Sequence, residues 1–374
     1  MLITHIVGAR PNFMKAAPVL SAFQRRGWPQ TLIHTGQHYD QLMSELQFTQ
    51  LELPKPDVNL GAGSGTHAQQ TAAVMIGVET ALTARRPNLL VVYGDVNSTM
   101  AATITAAKLQ IPVAHVEAGL RSFDLTMPEE INRMVTDRLA TYLFTPSADG
   151  DENLLKEGVD PKSIFRVGNV MIDTLIRCLP VVDSAKVLAP LGISAGTPYI
   201  LVTLHRPSTV DSPELLEPVL DVLAKLATTN PVVFPIHPRT RARLAAKWAA
   251  EGTEGAEAGK PRGFHFIDPV GYLEFLGLEK NATLVITDSG GVQEETTYLR
   301  VPCLTVRDNT ERPVTVTSGT NALVGRDATR LLHAATEKLS NRSVTGEIPE
   351  LWDGKAAERI ADALEPDVKR WGIT

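Results

Sequence analysis

The chain has 374 residues, of which 43% are hydrophobic and 21% are charged, and its formal net charge is −6. This length exceeds the size at which one hydrophobic core keeps growing, so we expect two domains with a ligand cleft between them. The acidic balance and the absence of a Lys/Arg block exclude nucleic acid and membrane surfaces as expected partners, and no apolar stretch approaches a transmembrane length.

The first half of the chain alternates short aliphatic runs with helical periodicity, the pattern of a doubly wound parallel α/β sheet. Helices are predicted over 98–109 and 128–140, the second with Pro128 at its first helical position. The predicted strands are 2–7, 31–35, 89–93, 112–116, 142–145 and 164–167. We therefore expect a first Rossmann-like domain over residues 1–170.

The same alternation restarts in the second half, which predicts a second Rossmann-like domain over 171–354. The stretch 251–263 is rich in Gly, Glu and Ala and is expected to be a surface loop. Residues 355–374 are predicted to form a helix that returns to the first domain. The predicted strands of this half are 198–204, 232–236, 264–267, 283–287 and 301–306.

A strand that ends at Thr287 runs into Ser289, Gly290 and Gly291 and then into a helix. Amides at a helix N-terminus and the positive end of its dipole favour a phosphate, and glycines let the ligand approach the backbone closely. Glu295 lies one helical turn further on, where a carboxylate can accept from both ribose hydroxyls. The alternative is an ordinary strand-to-helix turn.

Another strand is followed by Arg307 and Arg312, which places two guanidinium groups near the same edge of the second sheet. Arg312 is a candidate to hold a pyrophosphate, because the guanidinium fork matches phosphate geometry. The alternative is an ion-pair network within the loop, formed with Asp308 and Glu311.

The first strand ends in a segment that carries Arg10 and Lys15 and starts a helix. Two cations beyond the carboxyl end of a strand suggest a polyphosphate substrate. The segment lacks the G-x-G-x-x-G spacing, so a nicotinamide dinucleotide is not expected.

Three acidic groups follow strands or begin a helix in the first domain, and together they are candidates for acid/base chemistry. Asp95 follows the strand at 89–93, Glu117 follows the strand at 112–116, and Glu129 lies in the first turn of a helix. Each also has a structural alternative. Asp95 can cap a helix, Glu117 can pair with Arg121, and Glu129 can complement a helix dipole.

His205 and His237 both follow strands of the second domain, where a side chain faces the expected cleft. Their spacing from cysteines and acids matches no metal-ligand set, so no metal is expected. Asp149 and Asp151 form a short Asp-x-Asp pattern, which we interpret as a helix cap. The two cysteines, at 178 and 303, lie among apolar neighbours and are expected to be buried thiols in a reducing, cytoplasmic compartment.

The motifs along the chain resemble those of the non-hydrolysing UDP-N-acetylglucosamine 2-epimerase family over nearly its whole length. This resemblance implies a GT-B-like pair of Rossmann-like domains and epimerisation at C2 without a redox cofactor, through elimination of UDP to a 2-acetamidoglucal and its re-addition. The segments that carry it, in the family's order, are GARPNFMKAAPV, HTGQHYDQLMS, YGDVNSTMAA, HVEAGLRS, MPEEINR, VGNVMID, TLHR, IHPRTR, DPVGYLEF, TDSGGVQEE and RDNTERP.

The resemblance also implies roles for individual residues. Asp95, Glu117 and Glu129 match the catalytic carboxylates of the family, and His205 matches a histidine near the departing phosphate. Phe275 matches an aromatic residue near the uracil. The positions that match nucleotide-sugar contacts are Arg10, Lys15, Ser289, Gly290, Gly291, Glu295 and Arg312.

Several members of the family bind a second UDP-N-acetylglucosamine as an activator, and Gln37, Arg206 and His237 match residue types used there. The chain departs from many members at 207–209 and at Val270, which leaves the substrate open. Its motifs also resemble the subgroup that acts on UDP-2,3-diacetamido-glucuronate. Further alternatives are a hydrolysing 2-epimerase and a GT-B glycosyltransferase. The family implies a homodimer that serves the biosynthesis of a polysaccharide or another glycoconjugate.

Overall fold

The computed structural model describes residues 1–36, 48–210, 212–236, 263–341 and 345–372, without the side chains of Arg10, Pro207 and Ser208. Within it the chain divides into two compact units. Unit 1 comprises Met1–Cys178 and Pro349–Thr374, and unit 2 comprises Leu179–Ile348. The predicted loop at 251–263 lies outside the described residues, apart from Gly263.

Unit 1 contains a parallel sheet of seven strands in the order β3-β2-β1-β4-β5-β6-β7. The strands are β1 (Ile3–Val7), β2 (Gln30–His34), β3 (Val58–Asn59), β4 (Leu89–Tyr93), β5 (Val113–Val116), β6 (Tyr142–Thr145) and β7 (Ile164–Arg166). The helices are α1 (Arg10–Arg25), α2 (His67–Ala84), α3 (Asn97–Lys108), α4 (Pro128–Leu139), α5 (Ala148–Lys156), α6 (Val170–Cys178) and, near the C-terminus, α14 (Ala356–Arg370).

The central strands of unit 1 are buried on both faces, as in parallel sheets that helices cover on each side, and this is why they read as continuous aliphatic runs. All five residues of β1 and of β4 are buried. The sheet order places β1 beside β4, and the chain leaves these two neighbours in opposite directions across the sheet. Ligands bind at such a switch point in doubly wound folds, so the carboxyl ends of β1, β4 and β5 mark the first part of the site.

Unit 2 contains a parallel sheet of six strands in the order β10-β9-β8-β11-β12-β13. The strands are β8 (Ile200–Thr203), β9 (Val232–Pro235), β10 (Phe264–Ile267), β11 (Leu284–Thr287), β12 (Cys303–Thr305) and β13 (Asn321–Leu323). The helices are α7 (Ala185–Leu188), α8 (Pro207–Val210), α9 (Pro213–Ala227), α10 (Tyr272–Asn281), α11 (Gly290–Leu299), α12 (Val314–Thr317) and α13 (Ala328–Ser340).

The predicted fold class, two doubly wound α/β units, is confirmed, and the structure adds β3 and β13 to the predicted strands. Unit 1 extends to Cys178, beyond the predicted boundary at 170, because α6 packs against α1. The Thr174 hydroxyl on α6 donates to the Met14 carbonyl on α1. Within the described ranges, no helix is long and apolar enough to cross a membrane.

The C-terminal helix α14 packs against α1 and α6 of unit 1. Its first amides, those of Ala356 and Ala357, donate to the carboxylate of Asp173 on α6 at 3.1 and 2.8 Å. Burial raises the pKa of Asp173 to about 6 in spite of these two hydrogen bonds. An acidic side chain therefore caps α14 and fixes the end of the chain on unit 1.

Candidate active site

A buried ion pair between Lys15 and Glu117 lies at the carboxyl edge of the unit 1 sheet. Lys15 Nζ on α1 is 2.7 Å from Glu117 Oε1 just after β5, and the two side chains are 4% and 3% exposed. Gly94, at the end of β4, makes room for the pair, because a Cβ there would meet Lys15 Nζ at 2.6 Å. The partner of Glu117 is thus Lys15, and Arg121 binds other carboxylates.

Asp95 follows Gly94 and is held from α4. Arg133 binds its carboxylate, and Asn132 donates from Nδ2 to its carbonyl oxygen at 2.8 Å. The N-cap of α3 is Val96, so Asp95 does not occupy the capping position of that helix. The Asp95 side chain is 20% exposed and retains access to solvent.

The two glutamates in the first turn of α4 have different environments. Glu130 is buried and accepts hydrogen bonds from the amides of Ser122 and Phe123 and from Arg133. Burial opposes its ionisation, but the Ser122 amide and Arg133 together hold the pKa of Glu130 below its usual range. Glu129 is exposed at the same helix end, so it is the glutamate of this turn that a ligand can reach.

Beneath these residues lies a buried network that the sequence analysis did not identify. His115 Nδ1 is 2.6 Å from Asp137 Oδ1, and its Nε2 is 2.8 Å from the carbonyl oxygen of Gly94. Arg121 Nη1 donates to the other Asp137 oxygen at 2.7 Å. Burial opposes ionisation of Asp137, yet His115 and Arg121 hold its pKa below the usual range.

In unit 2, Asp288 organises the loop after β8, a role that the sequence analysis also missed. Its carboxylate accepts from the amides of His205 and Arg206, and His205 Nδ1 lies 3.1 Å from Asp288 Oδ1. Burial opposes its ionisation, but the His205 ring and these amides hold the pKa of Asp288 below its usual range. The His205 side chain is 55% exposed, so its ring is fixed at one nitrogen and open to a ligand.

A cluster of arginines surrounds the N-terminus of α11. Arg312 Nε is 2.8 Å from Glu294 Oε1, and Arg307 Nη2 donates to Glu311 at 2.6 Å. Burial opposes ionisation of Glu311, but Arg312, Arg307 and Arg206 hold its pKa well below the usual range. Three guanidinium groups facing two carboxylates leave a net positive charge beside the amides that begin the helix, which suits a phosphate.

Gly290 lets Arg312 and Glu311 approach the start of α11 closely, because a Cβ at that position would meet Arg312 Nη1 at 2.4 Å and Glu311 Oε1 at 2.8 Å. Ser289 is the N-cap of α11 and makes no side-chain capping bond, so its hydroxyl is not engaged by the helix. Ser289 and Gly291 are both half-buried at this helix end. The loop ion-pair alternative for Arg312 is partly observed, with Glu311 as a partner, whereas Asp308 pairs with Arg326.

Glu295 is buried on α11, and its Oε1 accepts a hydrogen bond from the Tyr272 hydroxyl at 2.8 Å. Tyr272 is the first residue of α10, which also carries Phe275, a half-buried ring packed against the core of unit 2. The candidate ribose and uracil positions are therefore on two helices of the same unit.

The remaining predicted residues are placed as follows. Arg10 begins α1, and its side chain is outside the description. Arg206 donates from Nε to the Asp288 carbonyl at 2.9 Å, and Gln37 and His237 lie outside the described residues. In the described part of the chain, no cluster of three or more His, Cys, Asp or Glu residues is arranged to hold a metal.

The chain was compared with known families and structures. The sequence family described as UDP-N-acetylglucosamine 2-epimerase matches residues 21–365. A relative from Methanocaldococcus jannaschii, named UDP-N-acetylglucosamine 2-epimerase, is 42% identical over 97% of this chain and 99% of its own. A relative from Pseudomonas aeruginosa, named UDP-2,3-diacetamido-2,3-dideoxy-D-glucuronate 2-epimerase, is 39% identical over 97% and 99%. The crystal structure of the M. jannaschii enzyme with UDP-GlcNAc and UDP superposes with a TM-score of 0.88 at 41% identity, covering 98% of this chain and 100% of that one.

Proposed function

The chain belongs to the UDP-N-acetylglucosamine 2-epimerase family, and from that premise we propose that it interconverts UDP-N-acetylglucosamine and UDP-N-acetylmannosamine. The reaction needs a base at C2, an acid on the opposite face of the sugar and stabilisation of UDP as it leaves C1. No redox cofactor takes part in this chemistry. The observation that supports the proposal best is the buried Lys15–Glu117 pair at the sheet edge that also carries Asp95.

The carboxylates of unit 1 are proposed to move the C2 proton. Lys15 supplies the positive charge that a carboxylate at the depth of Glu117 requires, and it fixes the direction of the carboxylate. Asp95 is held by Arg133 but remains partly exposed, and Glu129 is exposed on α4. Each correctly placed acid or base typically accelerates such a step by about 10² to 10⁴-fold.

The groups of unit 2 are proposed to bind the nucleotide. Arg312 and the amides of Ser289, Gly290 and Gly291 face the pyrophosphate, which gains negative charge as the C1–O bond breaks. His205 is held at Nδ1 by Asp288, so its other ring nitrogen is available to the departing phosphate.

The ribose and uracil are proposed to bind next to this phosphate site. Glu295 accepts from the ribose hydroxyls, and Phe275 packs beside the uracil. Arg10 of unit 1 is also proposed to contact the nucleotide sugar.

A second substrate, UDP-2,3-diacetamido-glucuronate, is favoured by the relative from P. aeruginosa at 39% identity. The chemistry at C2 is the same, so the geometry of the carboxylates does not separate the two substrates. The difference lies in which sugar ring the enzyme accepts. Rates measured with both nucleotide sugars at equal concentration decide between them.

We also propose that the chain forms a homodimer through an apolar face on α2 and α4 of unit 1. Ile76, Ile131 and Met134 are 67%, 48% and 41% exposed on these helices. Met75 and Ile131 line a groove there of about 500 Å³. Large exposed apolar side chains beside such a groove favour an association surface.

Light scattering of the purified protein tests this proposal. We expect a dimer for the wild type and a monomer for Ile131→Glu. The matched control is Leu155→Glu, on α5, where the side chain is also 48% exposed. A monomeric wild type, or a variant at 131 that remains dimeric, would contradict the proposed face.

We propose a cytoplasmic location, because Cys178 and Cys303 are buried thiols and such thiols persist in reducing compartments. Nucleotide sugars of this kind serve the biosynthesis of polysaccharides and other glycoconjugates, which is the proposed role of the product. Fractionation of cells that produce the tagged protein, scored by activity in the cytoplasmic fraction, tests the location.

The decisive experiment is proton NMR of UDP-N-acetylglucosamine incubated with the purified enzyme in deuterated water, without metal or NAD. We expect deuterium at C2 of both this substrate and newly formed UDP-N-acetylmannosamine. Release of free N-acetylmannosamine and UDP would indicate a hydrolysing enzyme instead. No exchange with either candidate substrate would contradict the proposal and favour acceptor-dependent sugar transfer.

A further inference from the structure

Glu279 is a buried acidic residue to which neither the sequence motifs nor the proposed chemistry gives a role. It lies on α10, its side chain is 0% exposed, and neither carboxyl oxygen accepts a hydrogen bond from another described residue. A carboxylate buried without a donor or a cation is the costliest form of this group. The neutral acid is therefore the stable form.

The neighbour of Glu279 is Glu295, the residue proposed to bind the ribose. Glu295 is itself 3% exposed and accepts from Tyr272 on one oxygen. Two carboxyl groups in contact carry only acceptors when both are ionised, so a stable contact requires one shared proton. Burial and the charge of Glu295 raise the pKa of Glu279 well above its usual range, and burial raises the pKa of Glu295 to about 7.

The other titratable groups around the pair do not supply a competing proton, although the charge of Glu294 adds to the raised pKa of Glu295. Burial raises the pKa of the Cys303 thiol on β12 to about 12. The Tyr199 hydroxyl on β8 donates to the Leu278 carbonyl, and burial raises its pKa above the usual range. Glu294 is engaged by Arg312. Among these titratable groups, the proton shared by Glu279 and Glu295 is therefore the one that is mobile near neutral pH.

We propose that Glu279 is a positioning residue of the nucleotide site, holding a proton and donating a hydrogen bond to Glu295, so that Glu295 presents ionised oxygens to the ribose diol. The inference rests on the proposed function of Glu295. Tyr272 and Glu279 then orient the Glu295 carboxylate by donating hydrogen bonds to it from the protein. The ribose hydroxyls donate the remaining hydrogen bonds to this carboxylate. Nucleotide affinity falls on the acid side as Glu295 itself becomes protonated.

Two variants of similar volume separate the proton from the packing. Glu279→Gln is neutral and keeps a donor toward Glu295, whereas Glu279→Met fills the space without a donor. A hydrogen bond to a charged group is worth about one pH unit or more in the acceptor's titration. We therefore expect the methionine variant to bind nucleotide sugar more weakly at neutral pH.

The measurement is the dissociation constant for UDP-N-acetylglucosamine, with kcat and KM, over the pH range from about 6 to 8.5. The phosphates of this ligand are fully ionised there, so the profile reports on the protein. We expect Glu279→Met to raise KM roughly fivefold at pH 7 with kcat little changed, and to move the acid limb up by about one pH unit. Glu279→Gln should retain the position of the acid limb. Overlapping profiles for the methionine variant and the wild type, or a glutamine variant as impaired as methionine, would overturn the inference.

A ligand-free measurement keeps the inference distinct from the proposed function. Glu279 ionises near its ordinary pKa of about 4.3 in the unfolded chain but stays neutral in the folded one. Because of this difference in protonation, the folded state keeps its stability below about pH 4.3 and loses stability as pH rises above that value. Urea unfolding should thus show the wild type losing stability relative to Glu279→Gln between pH 5 and 8. A difference that is constant over that range would mean an ionised Glu279 and refute its role. Absence of nucleotide-sugar binding by a wild type that shows this pH dependence would instead contradict the proposed function.

Discussion

Two regions of the molecule bury acidic groups in opposite ways. At the strand edge of unit 1, Asp137 is surrounded by His115 and Arg121, and its pKa is held below the usual range. Between α10 and α11 of unit 2, Glu279 and Glu295 have each other and a tyrosine, and burial raises both pKa values. Burial penalises the charge in both places, so donors and cations decide the outcome.

This contrast matches the chemistry proposed for each region. A group that takes a proton from C2 must be available as a carboxylate, and the cations of unit 1 provide for that. A carboxylate that binds a ribose diol transfers no proton and only accepts hydrogen bonds, from protein donors and from the ribose hydroxyls. It can therefore be held by a neutral acid and a phenol. Substitutions should therefore have effects that decrease from the strongest buried interaction to the weakest exposed one.

The largest effect is expected for Glu117→Gln. The change removes a proposed acid/base group and leaves Lys15 buried without its counter-charge. We expect kcat to fall by about 10² to 10⁴-fold and the free energy of unfolding to fall by about 3 to 5 kcal/mol. C2 exchange followed by NMR measures the first quantity, and urea unfolding measures the second.

The control for this prediction is the double variant Lys15→Met with Glu117→Leu. Replacing a buried ion pair by apolar residues of similar size is often neutral for stability. The double variant should thus recover most of the unfolding free energy while remaining inactive. An active double variant, or a single variant as stable as the wild type, would show that the pair is not the charged centre of unit 1.

A smaller loss is expected for His115→Gln, because His115 joins Asp137 to the Gly94 carbonyl beneath Asp95. Displacing a catalytic group by about 1 Å can cost about 10²-fold in rate, so we expect kcat to fall by up to that factor, with KM little changed. The measurement is steady-state kinetics over the pH range of activity.

His5→Gln is the matched control for this histidine. His5 is also fully buried in the unit 1 sheet, where its Nδ1 lies 2.7 Å from the Tyr93 hydroxyl. Burial lowers the pKa of His5 to about 3, so its ring is neutral. We expect this variant to lose stability without the kcat loss. Equal kcat values for His115→Gln and His5→Gln would contradict the positioning role of His115.

Gly290→Ala tests the cation cluster of unit 2. The added methyl group would meet Arg312 Nη1 at 2.4 Å, so the guanidinium must leave the helix N-terminus. We expect KM for the nucleotide sugar to rise about tenfold, equivalent to about 1.4 kcal/mol of lost binding. In Gly277→Ala, on α10, the nearest heavy atoms lie at 3.3 Å, and a smaller change in KM is expected. A larger KM effect at 277 than at 290 would argue against the phosphate role of Arg312.

Sequence periodicity predicted the long aliphatic strands to within a residue or two, because their buried runs end at Gly, Asp or Glu. It missed β3 and β13, with the residues Val58–Asn59 and Asn321–Leu323, since two or three residues with a polar member give no periodic signal. Edge strands of this length depend on pairing with a neighbour that is already in place. Local sequence therefore carries little information about them.

The motifs likewise indicated which residues gather at the strand ends but not how they pair. Glu117 was given Arg121 as a possible partner because the two are close in sequence. The observed partner, Lys15, is 102 residues away and reaches Glu117 because the sheet places β1 beside β4 and β4 beside β5. The same reasoning explains why Asp137 and Asp288 were missed. Their roles arise from contacts across elements rather than from a spacing within one.

The smallest effect is expected for a carboxylate–guanidinium pair that is exposed to solvent. Asp353 binds Arg359 through both carboxylate oxygens, but its side chain is 44% exposed. The hydrogen bonds from Arg359 lower the pKa of Asp353, so its contribution is present above the ordinary value of about 4 and lost as pH falls. Because water screens the pair, we expect Asp353→Asn to cost at most about 1 kcal/mol, with no change in kcat. Urea unfolding at pH 7 and at pH 3 checks this, since the difference from the wild type should be smaller at the lower pH. A loss as large as that of Glu117→Gln would mean that pairing alone, and not burial, sets the energy of these carboxylates.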